Sequence, residues 1–508
     1  MKRWVVAGVL VAGVAGIAVW TGRAPVPSDT HAQPATPLRD GGALSAGVPV
    51  TGRVVSEPDG RTTFTLDVPD DVTFVEIRIT KAPTDLDLHV TFNQPVDDIG
   101  ASDLTAATES HNESVRLSVW DDVPLEAGTY YVDVVPSPRG LPRVNGRPVD
   151  GDIAFEIVAE TVRSGEPARL SIGRARRGTL SRENGFGGLF VAEAGEGMDG
   201  LRIDLADAST SLELYVSREG PVAFDGNSEI RLDGIESRKF LWLDAHSDPP
   251  LESGPYYIAV VDRYQSDAPV DFTLIASGSN APPDEWLTIP PWEPTADPWE
   301  TALRATVELI TPAGGGSGVL VDAKGLIVTN RHVIEDTSGG LPGENGVIVA
   351  VAVDPRRPPV DMYRGTVIHA DKPLDLAIVE ITQGYYGQPL PTPHPFPFVP
   401  IREGPLPRIG EPLTVAGYPW IGGTTGRVTL TVAKGVVSGF EYHGSVAMMK
   451  TDADFHPGHS GGPVLDDQHR LVGIASETVE EELAAGKIGF ARPIESLPAE
   501  WRKRIGGR

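Results

Sequence analysis

Three short stretches of this chain carry residues that could perform acyl transfer. Gly-His-Ser-Gly-Gly-Pro at 458–463 sets Ser460 between glycines. Glycine tolerates backbone paths closed to other residues, so such a turn can aim two amide N–H groups into one hollow. The candidates are the amides of Gly458 and Ser460, with Gly461 and Gly462 leaving room for a substrate backbone. Alone, the string is also compatible with an ordinary turn. Upstream, Gly316 to Val333 reads as two strands joined by a turn and ending on Thr-Asn-Arg-His-Val. His332 therefore stands just after an apolar strand, where a barrel rim would present it, a setting that none of the other histidines has. Between the two lies Asp375, which opens Leu-Ala-Ile-Val-Glu-Ile. A carboxylate heading a buried strand costs free energy unless it meets a donor, and the N–H of a catalytic base would supply one. Asp371 and Asp361 are the competitors, and no apolar strand follows Asp371 directly. A hydroxyl nucleophile, an imidazole base, a carboxylate that fixes its tautomer and two amides for an oxyanion are what peptide hydrolysis by serine requires.

The chain order His, Asp, Ser is the chymotrypsin order, not that of subtilisin or the α/β-hydrolases. The stretches Thr451 to Ala453, Gly435 to Gly439, Leu471 to Ile474 and Ile488 to Ile494 add to this pattern. Together these motifs resemble the chymotrypsin-like serine peptidases, specifically their bacterial high-temperature-requirement branch, over about residues 301–497. The resemblance implies a serine endopeptidase with His332, Asp375 and Ser460 in a cleft between two β-barrels, a polypeptide substrate and no cofactor. Pro389 to Pro400 would cross between the barrels. Three departures stand out. His459 precedes the serine, where trypsins carry aspartate and this branch usually asparagine, so a zymogen switch through that carboxylate is not expected. The chain ends soon after Ile494, which implies no C-terminal PDZ domain. Asp454 lies six residues before Ser460, where trypsin-like enzymes carry the aspartate that selects Lys or Arg. Two readings of the specificity pocket stay open. Asp454 selects a basic side chain, or it points elsewhere and Phe455 helps line a pocket for small apolar residues. Asp454, His456 and His459 lack the spacing of a zinc site.

The elements that must position these residues read as strands. Gly and Pro are abundant, 57 and 46 residues, which favours turns and short strands over long helices. From Thr301 onward the pattern is β. Before it comes an internal repeat. Thr-Asp-Leu-Asp-Leu-His-Val from Thr84 returns 126 residues later as Thr-Ser-Leu-Glu-Leu-Tyr-Val from Thr210, and Pro-Leu-Glu-Ala-Gly-Thr-Tyr-Tyr from Pro124 returns at the same offset from Pro250. Gly52 and Gly178, and Phe64 and Phe190, share that offset, whereas Phe155 and Phe272 are closer, which places an insertion near Arg139 to Val149. Within each copy apolar and polar residues alternate, so one face of each strand meets a core. Each copy therefore predicts a β-sandwich, at 48–160 and 164–278, and both resemble the bacterial pre-peptidase C-terminal domain, which implies a binding or folding-assistance role for a surface or polymer. Tyr130, Tyr131, Tyr256 and Tyr257 are a candidate surface, although alternation predicts that one of each pair is core. The whole reads as all-β: two sandwiches, then a two-barrel unit at 301–508. Residues 279–300, with Trp286, Trp292 and Trp299 among prolines, read as a stiff linker whose indoles pack against a domain.

The formal net charge of -27 excludes nucleic acid as a natural partner, since phosphate repels such a surface. The absence of cysteine excludes disulfides, thiolate catalysis and cysteine-ligated metals. Lys2 and Arg3 precede an uncharged apolar run from Trp4 to Trp20, the form of an export signal. Residues 1–22 are thus either a cleaved signal peptide or a retained anchor at 4–20, and 23–47 are a flexible linker. Both forms place the chain outside the cytoplasm: secreted, periplasmic or cell-surface. Two other functions fit the sequence: a quality-control chaperone-protease, and a surface-binding protein with a vestigial peptidase domain.

Overall fold

The computed structural model describes residues 38–505, apart from short stretches at 57–59, 97–98, 108–112, 122, 138–142, 145–146, 149–150, 223–227, 293–294, 313, 420–427, 444–445 and 481–486. The expected signal, and most of the expected N-terminal linker, lie outside the described residues. No helix among the described residues is long and apolar enough to cross a membrane.

The chain is nearly all-β. In the first repeat, one sheet runs Leu38–Ala43, Arg61–Val68, Gly128–Pro136, Leu86–Phe92, Leu104–Ala106 and the other Val50–Val55, Asp152–Arg163, Val72–Thr80, Ser114–Ser118. The second repeat has the same five-plus-four arrangement, with Gly254–Val261 central to one sheet and Val270–Ser277 and Gly200–Ala206 central to the other. In each repeat both sheets contribute to one apolar cluster: Phe64, Leu88 and Val132 with Ile77 and Ile157 in the first, Phe190, Leu214 and Ile258 with Ile203 and Phe272 in the second. The repeated glycine has a steric cause. A Cβ on Gly52 would lie 2.4 Å from the Phe155 ring, and one on Gly178 would lie 2.4 Å from the Phe272 ring. Those phenylalanines meet Phe64 and Phe190 edge-on, with centroids 6.0 and 5.9 Å apart. Tyr130 and Tyr256 are core residues, and each hydroxyl bridges the backbone of the glutamate four residues earlier, Glu126 or Glu252.

Two expectations are corrected. Residues 38–43, placed by sequence in the flexible linker, pair in parallel with Arg61 to Thr65 and complete a sheet edge. In residues 279–300 the indoles pack as expected: Trp286 is buried and stacks on Tyr386, and Trp292 and Trp299 pack against the core of the first barrel. The structure begins residues 301–508 on a helix, Pro298–Ala305, not a strand. Asp297 caps it by accepting from the Trp299 amide at 2.9 Å, Pro298 fits its first turn, and Glu300 pairs with Arg304 one turn on.

Two closed six-stranded barrels follow. The first joins Thr306–Thr311, Gly314–Leu320, Leu326–Thr329, Leu376–Gly384, Val360–Asp371 and Val347–Val351; the second joins Pro412–Gly417, Thr431–His443, Val446–Thr451, Lys487–Pro493, Leu471–Glu480 and Pro463–Leu465. The proline-rich segment runs between them. Its Phe396 and Val399 amides donate to Ala323 and Leu320 of the first barrel, and the carbonyl of Pro400 accepts from Leu471 of the second.

Candidate active site

The strand Leu326–Thr329 leads into a single helical turn, Arg331–Ile334, which lifts His332 onto the barrel rim. Its neighbour in the barrel, Leu376–Gly384, begins one residue after Asp375. Asp375 adopts φ +51°, a left-handed conformation uncommon outside glycine. The buried Asn330 amide donates to the Asp375 carbonyl at 2.8 Å and supports that turn. The Asp375 carboxylate then meets His332 twice: Oδ1 accepts from the His332 backbone amide at 3.0 Å, and Oδ2 lies 2.8 Å from Nδ1. A carboxylate can only accept, so the neutral imidazole carries its proton on Nδ1 and leaves Nε2 free as a base. The competing aspartates have other partners. Asp371 accepts from the Leu374 amide in the preceding turn, and Asp361 is buried against the second repeat.

Ser460 comes from the opposite barrel. Its hydroxyl donates to the carbonyl of Ser476 at 2.8 Å, and the Ser476 hydroxyl donates to Asp375 Oδ2 at 3.3 Å. Ser476 thus ties serine and carboxylate into one network. Sequence reading did not single it out. It sits at a register shift in the pairing of Leu471–Glu480 with Lys487–Pro493, between Ala475 and Glu477, and a bulge of this kind re-aims a side chain. No hydrogen bond joins Ser460 to His332 among the described residues. Nucleophile–base contacts of this type are often loose without substrate.

The turn around Ser460 has Gly458 at φ +99° and Gly461 at φ +86°. Among the described residues no acceptor meets the amides of Gly458 or Ser460. Gly461 and Gly462 serve a different purpose from the one expected of them. A Cβ on Gly461 would lie 2.0 Å from the Ser317 carbonyl, and one on Gly462 would lie 2.2 Å from that of Ala416. They make room for the protein's own strands, because the turn is pressed into the junction of the two barrels.

Asp454 is exposed and its carboxylate lies 3.1 Å from His456 Nε2. Phe455 is buried, with a Cβ on Gly489 falling 2.9 Å from its ring. His459 is also buried; Nδ1 accepts from the His456 amide at 3.1 Å, and Nε2 has no partner among the described residues. Burial pushes the His459 imidazole down to about 4, so it is neutral at pH 7.

A family model for the trypsin-like peptidase domain matches residues 316–474. The chain is 30% identical over 191 residues to the serine endoprotease DegS of Escherichia coli, covering 35% of this chain and 45% of the relative. It is 30% identical over 204 residues to the serine protease Do-like HtrA of Bacillus subtilis (37% and 38%), and 28% over 198 residues to the chloroplastic Protease Do-like 8 of Arabidopsis thaliana (38% and 42%). It thus spans less than half the length of these relatives. A solved serine endoprotease from Yersinia pestis aligns at 27% identity over 42% of this chain and 70% of its own, with a TM-score of 0.30, an overlap too low to bear on the fold. The chain carries a trypsin-like peptidase domain whose homologues include serine endoproteases of the HtrA and DegS type.

Proposed function

We propose that this protein is an exported serine endopeptidase that cleaves polypeptides outside the cytoplasm through an acyl-enzyme on Ser460. The observation that carries the reading is the doubly bonded His332–Asp375 pair, linked through Ser476 to the serine of a glycine-rich turn. In this reading His332 Nε2 takes the Ser460 proton as Oγ attacks the scissile carbonyl. The amides of Gly458 and Ser460 receive the oxyanion, and the imidazolium returns its proton to the leaving amine; water then repeats the sequence on the ester. Asp375 keeps the tautomer and stabilises the imidazolium.

The exposed, His456-paired carboxylate of Asp454 supports a primary pocket shaped by Phe455 and suited to small apolar residues, because a charge in water has little need of a cationic partner. The two repeats are read as β-sandwiches of pre-peptidase C-terminal type. The charged and apolar run from Lys2 to Trp20 supports export. Labelling by a fluorophosphonate, mapped by peptide sequencing, tests the assignment. A label on Ser460 that is lost in His332→Ala supports it, and an unlabelled Ser460 in folded protein rejects it.

A further inference from the structure

The strand Gly314–Leu320 carries Gly-Ser-Gly at 316–318, a pattern the triad does not explain. The flanking glycines are required by contact. A Cβ on Gly316 would lie 2.9 Å from the Val333 side chain and 3.2 Å from the Ser460 carbonyl, and one on Gly318 would lie 2.7 Å from Ile327. Between them Ser317 is fully buried and reaches across to the second barrel. Its hydroxyl donates to the carbonyl of Gly458 at 2.6 Å and accepts from the Tyr418 amide at 2.9 Å. Its own amide donates to the carbonyl of Ser460 at 2.8 Å. Its carbonyl accepts from Thr329 Oγ1 at 2.7 Å.

A peptide unit is planar, so holding its carbonyl also sets the N–H on the other side. The unit joining Gly458 to His459 is held by Ser317 Oγ at one end and by the His456 carbonyl, which accepts from the His459 amide at 3.0 Å, at the other. The unit joining Ser460 to Gly461 is held by the Ser317 amide and by the Ala475 carbonyl. The unit between them is fixed by the Gly462 amide, which donates to the His459 carbonyl at 2.9 Å. Only the unit joining Pro457 to Gly458, which carries one of those two amides, has neither end bonded among the described residues. It hinges on a glycine at φ +99°, where no side chain resists rotation. On the far side of that hinge the unit joining Gly458 to His459 is held by the Ser317 hydroxyl, reaching over from the other barrel, and by the His456 carbonyl within the turn.

We infer that Ser317 is a positioning residue for oxyanion binding: from the opposite barrel it holds the carbonyls of Gly458 and Ser460, and so fixes the Cα positions from which the Gly458 and Ser460 N–H groups project toward the reacting carbonyl. This rests on the peptidase reading of Ser460. It also explains why the nucleophile and the base, which sit on different barrels, stay in register.

The test uses the full chain as wild type, Ser317→Ala and Thr329→Val. The second, near-isosteric change removes only the support behind Ser317 and guards against a first variant that does not fold. Deleting an oxyanion donor costs on the order of 100-fold or more in kcat, so a donor left in place but unclamped should cost about 10- to 100-fold. In Ser317→Ala kcat is expected to fall by that factor with KM within about twofold, and affinity for a peptide boronate should weaken in step with kcat/KM. Thr329→Val should shift the same quantities by a smaller factor. Hydrogen exchange across 456–462 should quicken in both variants. A folded Ser317→Ala with kcat within twofold of wild type overturns the inference, as does a kcat loss that disappears after active-site titration. If wild type turns nothing over and Ser460 takes no label, the peptidase reading fails on its own. Exchange then decides the clamp, which stands if the turn loosens and falls if exchange is unchanged.

Discussion

The buried carboxylate of Asp361, in the first barrel, accepts from the amide and the hydroxyl of Ser237, in the second repeat, at 2.7 and 3.0 Å. The Arg238 amide adds a third contact at 3.4 Å, and the Tyr385 hydroxyl returns one to the Arg238 carbonyl at 2.7 Å. Ile235 packs among Ile310, Ile348 and Tyr385 alongside. Hydrogen bonds to a buried charge contribute about 1.5–3 kcal/mol each, so the second repeat is built into the first barrel's stability. Residues 301–508 alone lack these contacts. That fragment should melt below the full chain, and Ser237→Ala should lower stability by about 1–3 kcal/mol. Equal melting temperatures for fragment and full chain, followed by circular dichroism, would show that the interface adds nothing.

Ser460→Ala should leave the fold intact and lower kcat by roughly a millionfold, the usual cost of removing a serine nucleophile. His332→Ala should lose a comparable factor. Hydrolysis by Ser460→Ala above a hundredth of the wild-type rate would assign the nucleophile elsewhere.

Matched peptides with Val or Arg before the scissile bond test the pocket. Wild type should favour Val, and Asp454→Ser should change the ratio of kcat/KM values by less than about fivefold, since an exposed ion pair contributes little. A strong Arg preference that collapses in Asp454→Ser would make Asp454 the selecting charge after all.

Acid should destabilise the protein partly through His459. Burial holds its folded value at about 4, well below the ordinary 6.5. The unfolded chain therefore binds the proton first, so stability is lost as pH falls from about 6.5 to about 4, up to about 3 kcal/mol from this group. His459→Asn retains an acceptor for the His456 amide and has nothing to titrate. Its denaturant midpoint should fall less steeply than that of wild type over that window. Parallel curves for the two proteins would exclude the contribution.

Sequence by itself determined what is local or repeated. The alternation in Phe64–Leu66–Val68 and the constant offset of the repeat were legible because strand periodicity and duplication are written in residue order. The apolar strands beside His332 and Asp375, and the glycines around Ser460, were legible for the same reason. The capped helix at Pro298 was signalled by Asp297-Pro298 but is short, and the β pattern beyond it dominated. Only the tertiary structure decided what depends on contacts distant in sequence. Ser476 joins the site through a bulge 101 residues from Asp375. Ser317 clamps a turn 141 residues away, and Asp361 serves the interface with the second repeat. Each is an ordinary polar residue whose role is set by which carbonyl or carboxylate the closing barrels bring within 3.5 Å, and residue order does not encode that distance.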